Sequence, residues 1–518
     1  MTLPSISLHV HHNAAVSVYH DGDIICVIEF ERFVNLKNAS YEFFEPIHCK
    51  DYILKEVYEY IKNRFGYTKY DKFVIGNSFS EFPQRYKDIV AANEYIVDDS
   101  HHPAHAYGSF SQSPFNKALI ISFDGGSNDG LFRAFIGEKG KDLIDVKSIG
   151  IDLGSHYHMI GAFCSEVKNY HCLTAAGKVL GLQSYGKVID SWKGPIKKFF
   201  TSTVPYWYKL EERSALLSSE IGIPFSKENK LSGENSYNLS RTAQEVFEEV
   251  FFENVNDVIQ QHDLPIVLTG GCALNIVLNT KVRDRYNRQV FIAPNSSDCG
   301  IPVGLICKHM KPVNIIDVTY KGIDVLDKFC LMEYVNTRNG RPSDINVIVN
   351  DLSQNRIMGV VQGRSEHGPR ALGNRSIICS PLLPDMKDIL NSKVKHREWY
   401  RPFAPIVRLE DVSEYFEWEG ESRWMNFCPR VKDKYLNIIP SVTHIDKTAR
   451  VQTITREQNT FIYDLLTKFK EKTGVGVLIN TSFNVDRKPI LSTYKDAFKV
   501  FDETQLDRLY LDGYYFVK

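Results

Sequence analysis

Residues 363–380 read GRSEHGPRALGNRSIICS, with three arginines (Arg364, Arg370, Arg375) set among three glycines (Gly363, Gly368, Gly373). The apolar run Ile357–Val361 leads in. The segment therefore reads as a buried strand that empties into a glycine-rich, cationic turn. Glycines let backbone N–H groups approach a ligand, and guanidinium groups present planar forks to oxyanions. Taken alone, the stretch is either an anion site of the phosphate-loop kind or a solvated loop whose charges pair with Asp and Glu. Two further stretches favour the anion site. Residues 391–405 read NSKVKHREWYRPFAP, and residues 477–484 read VLINTSFN, an apolar strand ending in small amides and hydroxyls. Between 360 and 410, nine Lys/Arg stand against five Asp/Glu, in a chain of formal net charge −1. Local basicity in a near-neutral chain points to a small anionic ligand and not to a nucleic-acid track.

Working outward, 518 residues hold about two to four domains. The hydrophobic content of 43% and charged content of 24% are those of a soluble globular protein. No apolar run reaches about 18 residues, so no membrane helix is expected. The opening residues carry neither a basic region nor an apolar one, so no signal peptide is expected. Ten cysteines are scattered without a Cys-x-x-Cys pair, which argues against a zinc ribbon or a disulfide scaffold and for a reducing cytoplasm.

Along the chain, Ile6–Val10 and Ala14–Tyr19 flank the polar cluster His11, His12 and Asn13, and the acidic turn 21–23 leads to the strand Ile24–Phe30. Asp51–Phe65 has apolar residues at helical spacing. His101 and His105 lie one helical turn apart with Pro103 in the first turn. That pair suits a divalent transition metal, or serves as capping or core histidines. Ala118–Phe123 is a buried strand ending at Asp124, Gly125 and Gly126, which is either a phosphate or metal turn or a plain hairpin turn. Lys178 stands near glycines, where it either touches phosphate or faces solvent. Residues 187–235 carry no readable chemistry. Leu239–Gln261 is a helix; the strand Ile266–Leu268 then runs into Gly270 and Gly271 at a helix start, a place for a nucleotide edge. Thr460–Lys470 is a further helix.

The cationic stretches resemble the C-terminal, YrdC-like part of the O-carbamoyltransferase family that includes NodU, CmcH and TobZ, whose members place carbamoyl groups on hydroxyls of sugars and antibiotics. The family pattern for the first stretch is G-R-M-E-x-G-P-R-A-L-G-x-R-S. The N-terminal part is similar too: His12-Asn13-Ala14-Ala15 stands where the family has His-Asp-Ala-Ser, residues 101–106 (HHPAHA) match HHLAHA, residues 178–186 (KVLGLQSYG) match KVMGLxxYG, residues 270–275 (GGCALN) match GGVALN, and residues 297–300 (SDCG) stand for GDxG. Asn13 and Ser297 are departures.

The resemblance implies an α/β protein: a duplicated actin-like ATPase (ASKHA) domain over 1–320, a connector over 321–345, and a YrdC-like α/β domain over 346–518. It implies carbamoyl phosphate and ATP as substrates, with a carbamoyl-adenylate passed to a hydroxyl of a small-molecule acceptor, a sugar or natural product. His12 is then the catalytic base, with Arg370 and Lys395 in the activation chemistry. Arg364, Arg370, Arg375, Lys395, Arg397, Arg401, Asn480, Thr481, Ser482 and Asn484 would bind carbamoyl phosphate. Asp124, Gly125, Gly126, Lys178, Gly270, Gly271 and Asn275 would hold nucleotide. His101, His105, Asp124 and Asp298 would hold a metal, Fe(II) by family expectation, with Mg(II), Mn(II) and Zn(II) compatible. No nucleic-acid or membrane partner is expected. A tRNA threonylcarbamoylation factor should carry basic surface, and a hydrogenase-maturation carbamoyltransferase should carry zinc-finger cysteines; neither signal is present. A non-catalytic nucleotide-binding module is favoured only by Asn13.

Overall fold

The computed structural model describes residues 2–39, 47–76, 81–127, 129–202, 210–485 and 487–518. Asn128, within the glycine turn read above, lies outside them. Contacts divide the chain into two compact units, Met1–Asp98 with Ile316–Lys518, and Asp99–Ile315. The contact boundary therefore differs from the division expected near 320 and 346, because the first strands belong with the C-terminal segment.

In the first unit, β1 (Ser5–His9), β2 (Ala15–His20), β3 (Asp23–Glu29), β4 (Tyr70–Gly76) and β5 (Ala92–Asp98) form a sheet of order β3-β2-β1-β4-β5. The first three strands form an antiparallel meander, and β4 and β5 add parallel to β1. Parallel addition needs a crossover, and the amphipathic helix Ile47–Phe65 supplies one, burying Ile53, Leu54, Val57 and Ile61.

The second unit repeats the pattern. β6 (Lys117–Ser127), β7 (Gly130–Glu138) and β8 (Ile144–Ile149) form a meander, and β9 (Ile266–Thr269) and β10 (Val290–Ile292) add parallel to β6, giving the order β10-β9-β6-β7-β8. One five-strand topology used twice in a chain is the duplicated sheet of an actin-like ATPase fold. Strand β6 runs through Asp124 to Ser127, with its register against β7 shifting after Phe123.

The C-terminal segment builds its own eight-stranded sheet. Its strands are β11 (Arg341–Pro342), β12 (Met358–Val361), β13 (Arg375–Cys379), β14 (Ala404–Arg408), β15 (Gln452–Ile454), β16 (Val477–Ser482), β17 (Arg508–Leu511) and β18 (Tyr514–Val517), in the order β11-β18-β17-β12-β13-β16-β14-β15. Helices Ile345–Ser353 and Thr460–Thr473 cover one face through Ile348, Leu352, Ile462, Leu465, Leu466 and Phe469. The second helix begins at Asn459, whose side chain accepts from the Ile462 N–H, and ends at Gly474 in the left-handed region. The arginine-rich stretch is the loop between β12 and β13, as expected for a strand emptying into a turn. Among the described residues, no helix is long and apolar enough to cross a membrane.

Candidate functional site

In the second unit, the chain collects four ligand-type side chains from three elements. His101 precedes the helix His102–Gln112 and His105 lies one turn inside it; Asp124 is on β6; Asp298 opens the short turn before the helix Ile301–Met310. Their ligand atoms all lie within 4.8 Å of one another. His105 Nε2 stands 3.0 Å from Asp124 Oδ2 and 3.4 Å from Asp298 Oδ1, and His101 Nε2 stands 3.5 and 3.9 Å from the same atoms. The two Nε2 atoms are 3.2 Å apart.

This is a set of lone pairs converging on one point. Asp124 Oδ2 is buried with no donor in hydrogen-bond geometry, although both imidazoles are near. Burial disfavours an imidazolium here, yet the Asp124 and Asp298 carboxylates overcome it and push His105 up to about 9. Asp124 is held well below the usual carboxylate range, because the two histidines outweigh its burial. The cluster thus attracts positive charge, and its two imidazoles and two carboxylates fit a divalent ion of the first transition row.

Close backbone packing aligns these ligands. The helix carrying His105 and the helix that follows Asp298 cross where a Cβ on Gly304 would lie 1.8 Å from the Ala104 carbonyl oxygen, so only glycine permits the contact. Gly271 plays the same part against β6, since a Cβ there would come 2.7 Å from Asp124 Oδ1. Gly125 turns its N–H to Asp124 Oδ1 at 2.7 Å, and Gly126 follows beside Asp152. Gly270 closes the turn by donating its N–H to the Ser296 carbonyl.

Two residues beside the cluster have roles that sequence reading did not assign. His102 is fully buried, with Nδ1 2.8 Å from Ser122 Oγ and Nε2 3.2 Å from the Gly130 carbonyl; it ties the helix to the β6–β7 hairpin. Asp129 accepts the N–H groups of His101 (2.8 Å) and His102 (3.2 Å), capping from another element the helix that carries both histidines. An Asp directly before the returning strand β7 was the available signal.

Two of the nucleotide expectations meet structural partners instead. Lys178 is buried, and its ammonium donates to the Lys168 carbonyl at 2.5 Å. Asn275 caps the helix Ile276–Tyr286 through Leu278 N–H (3.1 Å), and its amide exchanges bonds with Gln244. Both side chains are engaged in holding helices.

In the first unit, His12 sits half-buried in the turn between β1 and β2. Its Nδ1 lies 3.3 Å from Asn13 Oδ1. If the amide oxygen accepts there, Nδ1 carries the hydrogen and Nε2 is the basic nitrogen. Asn13 has φ 59°, a left-handed conformation that Asn and Asp adopt more readily than other side chains.

The arginine loop divides its three arginines between two tasks. Arg375, wholly buried, donates to the carbonyls of Gln362 (2.7 Å), Asn374 (2.9 Å) and Gly363 (3.0 Å). Arg364 donates to the carbonyls of Gly322 (2.9 Å) and Lys321 (2.6 Å) and lies over the Phe65 ring. Both build the loop, which departs from the expected phosphate contacts. Arg397 likewise braces its own turn, through Asn391 Oδ1 (2.8 Å) and the Pro402 carbonyl (3.3 Å).

Arg370 is different. Its Nε, like that of Arg375, is buried without a hydrogen-bond partner, but its guanidinium gathers no loop carbonyl, and burial together with the Arg401 charge presses it down to about 10. Arg450, which sequence reading missed, has the same character: a buried, unpartnered Nε, and a position well below the usual arginine range through burial and the charges of Arg370 and Arg401. Arg401 carries one weak acidic contact, to Glu398 at 3.5 Å. The available signal for Arg450 was an arginine between two apolar residues, Ala449 and Val451, both fully buried.

The neighbours of this cluster are polar and ordered. Gln452 donates to the Leu372 carbonyl (3.1 Å) and accepts from Asn480 (2.6 Å), which also donates to the Ala371 carbonyl (3.1 Å). Asn480 Oδ1 is buried and unpartnered. Lys395 reaches the Ser482 and Asn484 carbonyls at 2.6 and 2.7 Å, and both of their side chains. Thr481 lies between Asn480 and Ser482 on β16. The structure therefore brings together Lys395, Ser482 and Asn484, and joins Asn480 to the Arg370 loop.

Comparison with known proteins adds a separate line. A family model described as Carbamoyltransferase N-terminus matches residues 5–307, and one described as Carbamoyltransferase C-terminus matches residues 349–518. The nodulation protein NolNO of Sinorhizobium fredii is 29% identical over 97% of this chain and 78% of its own. The nodulation protein NolO of Bradyrhizobium diazoefficiens is 31% identical over 79% of this chain and 77% of its own. Among solved structures, full-length HypF in a phosphate- and nucleotide-bound form aligns with 61% of this chain and 48% of its own, at 11% identity and a TM-score of 0.36.

Proposed function

Because the chain belongs to the carbamoyltransferase family, we propose that it is an ATP-dependent O-carbamoyltransferase that activates carbamoyl phosphate as carbamoyl-adenylate and passes the carbamoyl group to a hydroxyl of a sugar or natural product. The observation that carries the activation half is the group Arg370, Arg401 and Arg450. Arg370 and Arg450 each keep a buried Nε–H with no acceptor, and Arg401 adds a third positive charge beside them, so the group needs an anion to balance it.

Carbamoyl phosphate is hydrolysed to carbamate and phosphate at this YrdC-like site. A carbamate oxygen then attacks the α-phosphorus of ATP, and pyrophosphate leaves. The guanidinium groups of Arg370, Arg401 and Arg450 neutralise the oxyanions as charge shifts among them. Lys395, fixed by Ser482 and Asn484, presents its ammonium from one position, and Asn480 offers a planar amide to the carbamoyl group. An acceptor hydroxyl then attacks the carbonyl carbon, and AMP leaves. His12 takes the hydroxyl proton, a contribution of about 10²–10⁴-fold for a general base. Asn13 Oδ1, 3.3 Å from His12 Nδ1, can accept the Nδ1 hydrogen and leave Nε2 as the base, without the charge that a carboxylate would add.

His101, His105, Asp124 and Asp298 would hold a divalent ion, Fe(II) by family expectation, whose charge suits phosphate oxygens. Gly125, Gly126, Gly270 and Gly271 pack against Ser155, Asp152, Phe123 and Asp124 and so draw two strand ends together beside it, where a nucleotide would lie along their backbone.

The test is incubation with ATP, labelled carbamoyl phosphate and Fe(II) or Mg(II), followed by mass spectrometry. Carbamoyl-AMP and pyrophosphate are expected, and both should vanish in Arg370→Ala and Arg450→Ala. ATP turnover without carbamoyl-AMP would overturn the donor assignment. Full transfer activity in His12→Ala would remove the base.

A further inference from the structure

The arginine loop is held by residues from the opposite end of the chain. Arg32, only 3% exposed, lies in the helix Phe30–Val34 that follows β3. Its two terminal nitrogens donate to the carbonyls of Glu366 and Gly368. Its Nε pairs with Glu29 Oε2 at 2.9 Å, and Glu29 Oε1 accepts the Gly368 N–H at 2.7 Å. These bonds form a closed ring on the backbone of residues 366–368.

The other stem of the loop is closed by Glu366. Its Oε1 accepts the N–H groups of Leu372 (2.6 Å), Asn374 (2.8 Å) and Arg375 (3.2 Å). Arg370 stands between the two fastened stems. Both charges of the Glu29–Arg32 pair are buried, and such a pair contributes little net stability over apolar residues of similar size. What it specifies is shape, because its outward bonds land on the loop backbone.

We propose that Glu29 and Arg32 are positioning residues that hold the Gly368 turn, and through it Arg370, in the anion-binding conformation. This rests on the reading of Arg370 as an oxyanion ligand. It also ties two functional turns together: Glu29 pairs with Ala15 across β2 and β3, and the Phe30 N–H donates to the Ala14 carbonyl at 2.9 Å, so the clamp is anchored two residues beyond the His12–Asn13 turn.

The test uses the full chain with Glu29→Gln and Arg32→Lys, by steady-state kinetics and by amide hydrogen exchange with and without inorganic phosphate. In both variants KM for carbamoyl phosphate should rise about tenfold or more, with KM for ATP within about twofold. Exchange at Leu372 and Asn374 should quicken about tenfold, with strand Val477–Ser482 unchanged. Phosphate should slow exchange at those amides in the parent protein and fail to do so in the variants. Uniform loosening of both regions with unchanged KM values would show a merely structural pair and overturn the proposal, as would unaltered loop exchange and phosphate protection. If the parent protein does not turn over carbamoyl phosphate, the functional reading fails, and the exchange arm still decides the positioning role. Should Arg32→Lys fail to fold, the isosteric Glu29→Gln decides alone.

Discussion

The four-ligand cluster of the second unit and the arginine cluster of the first are both charged and built by distant segments, yet their charge balance is opposite. Each imidazole of His101 and His105 lies within 4 Å of both carboxylates, so the cluster is nearly balanced by itself. Arg370 and Arg450 are acted on by other cations, and their Nε groups have no acceptor. The first cluster is distinguished by geometry, the second by the charge it lacks. They are also supported differently. Helices pressed together at a glycine align the histidines and Asp298, whereas backbone carbonyls gathered by Arg375 and Arg364 shape the arginine loop.

The sharpest test of that contrast sets one arginine against another. Arg375→Ala leaves three buried carbonyls without their donor and should cost about 3–5 kcal/mol of stability, read by urea unfolding. Gly304→Ala should cost about 3 kcal/mol by overpacking and should also abolish Mn(II) or Co(II) binding in titration calorimetry. If stability falls and metal binding survives, the helix crossing does not align the ligands. Arg450→Ala should leave the melting temperature equal or raised without ligand, since a half-buried cation with an unpartnered Nε is removed from beside two others, and should weaken inorganic phosphate binding about tenfold or more, near 1.4 kcal/mol. A stability loss like that of Arg375→Ala would place Arg450 among the structural arginines. Asp129→Ala should cost about 1 kcal/mol through loss of the cap, with a smaller loss of metal affinity than His105→Ala.

Single strands such as Ile6–Val10, Ala14–Tyr19 and Ala118–Phe123 were legible because strand periodicity and short turns are local, and so were the His101–His105 pair and the Asp124 strand end, whereas the duplication of the sheet was expected only from the family resemblance. The division of labour within the arginine loop was not. Arg364 and Arg370 look alike in GRSEHGPRALG, and only the carbonyls of Lys321 and Gly322, more than 40 residues away, tell them apart. Lys178 and Asn275 matched family positions but found partners in Lys168 and Gln244 that no motif contains. Arg450 escaped because its partners in the cluster lie 49 and 80 residues distant, though its buried apolar neighbours marked it as unusual.

The discontinuous composition of the first unit has a consequence in time. Residues 1–98 leave the ribosome first, but their partners lie beyond residue 315. At about 5–20 residues per second, the roughly 200 residues between them take on the order of 10–40 s to synthesise. Throughout that interval Glu29 and Arg32 lack the loop backbone that they grip in the finished protein. The intervening unit, with its own sheet, is complete in sequence before the first unit is. Assembly on the ribosome is therefore ordered from the inside of the sequence outward, and the nascent N-terminal sheet is the stage most exposed to chaperones and to misassociation.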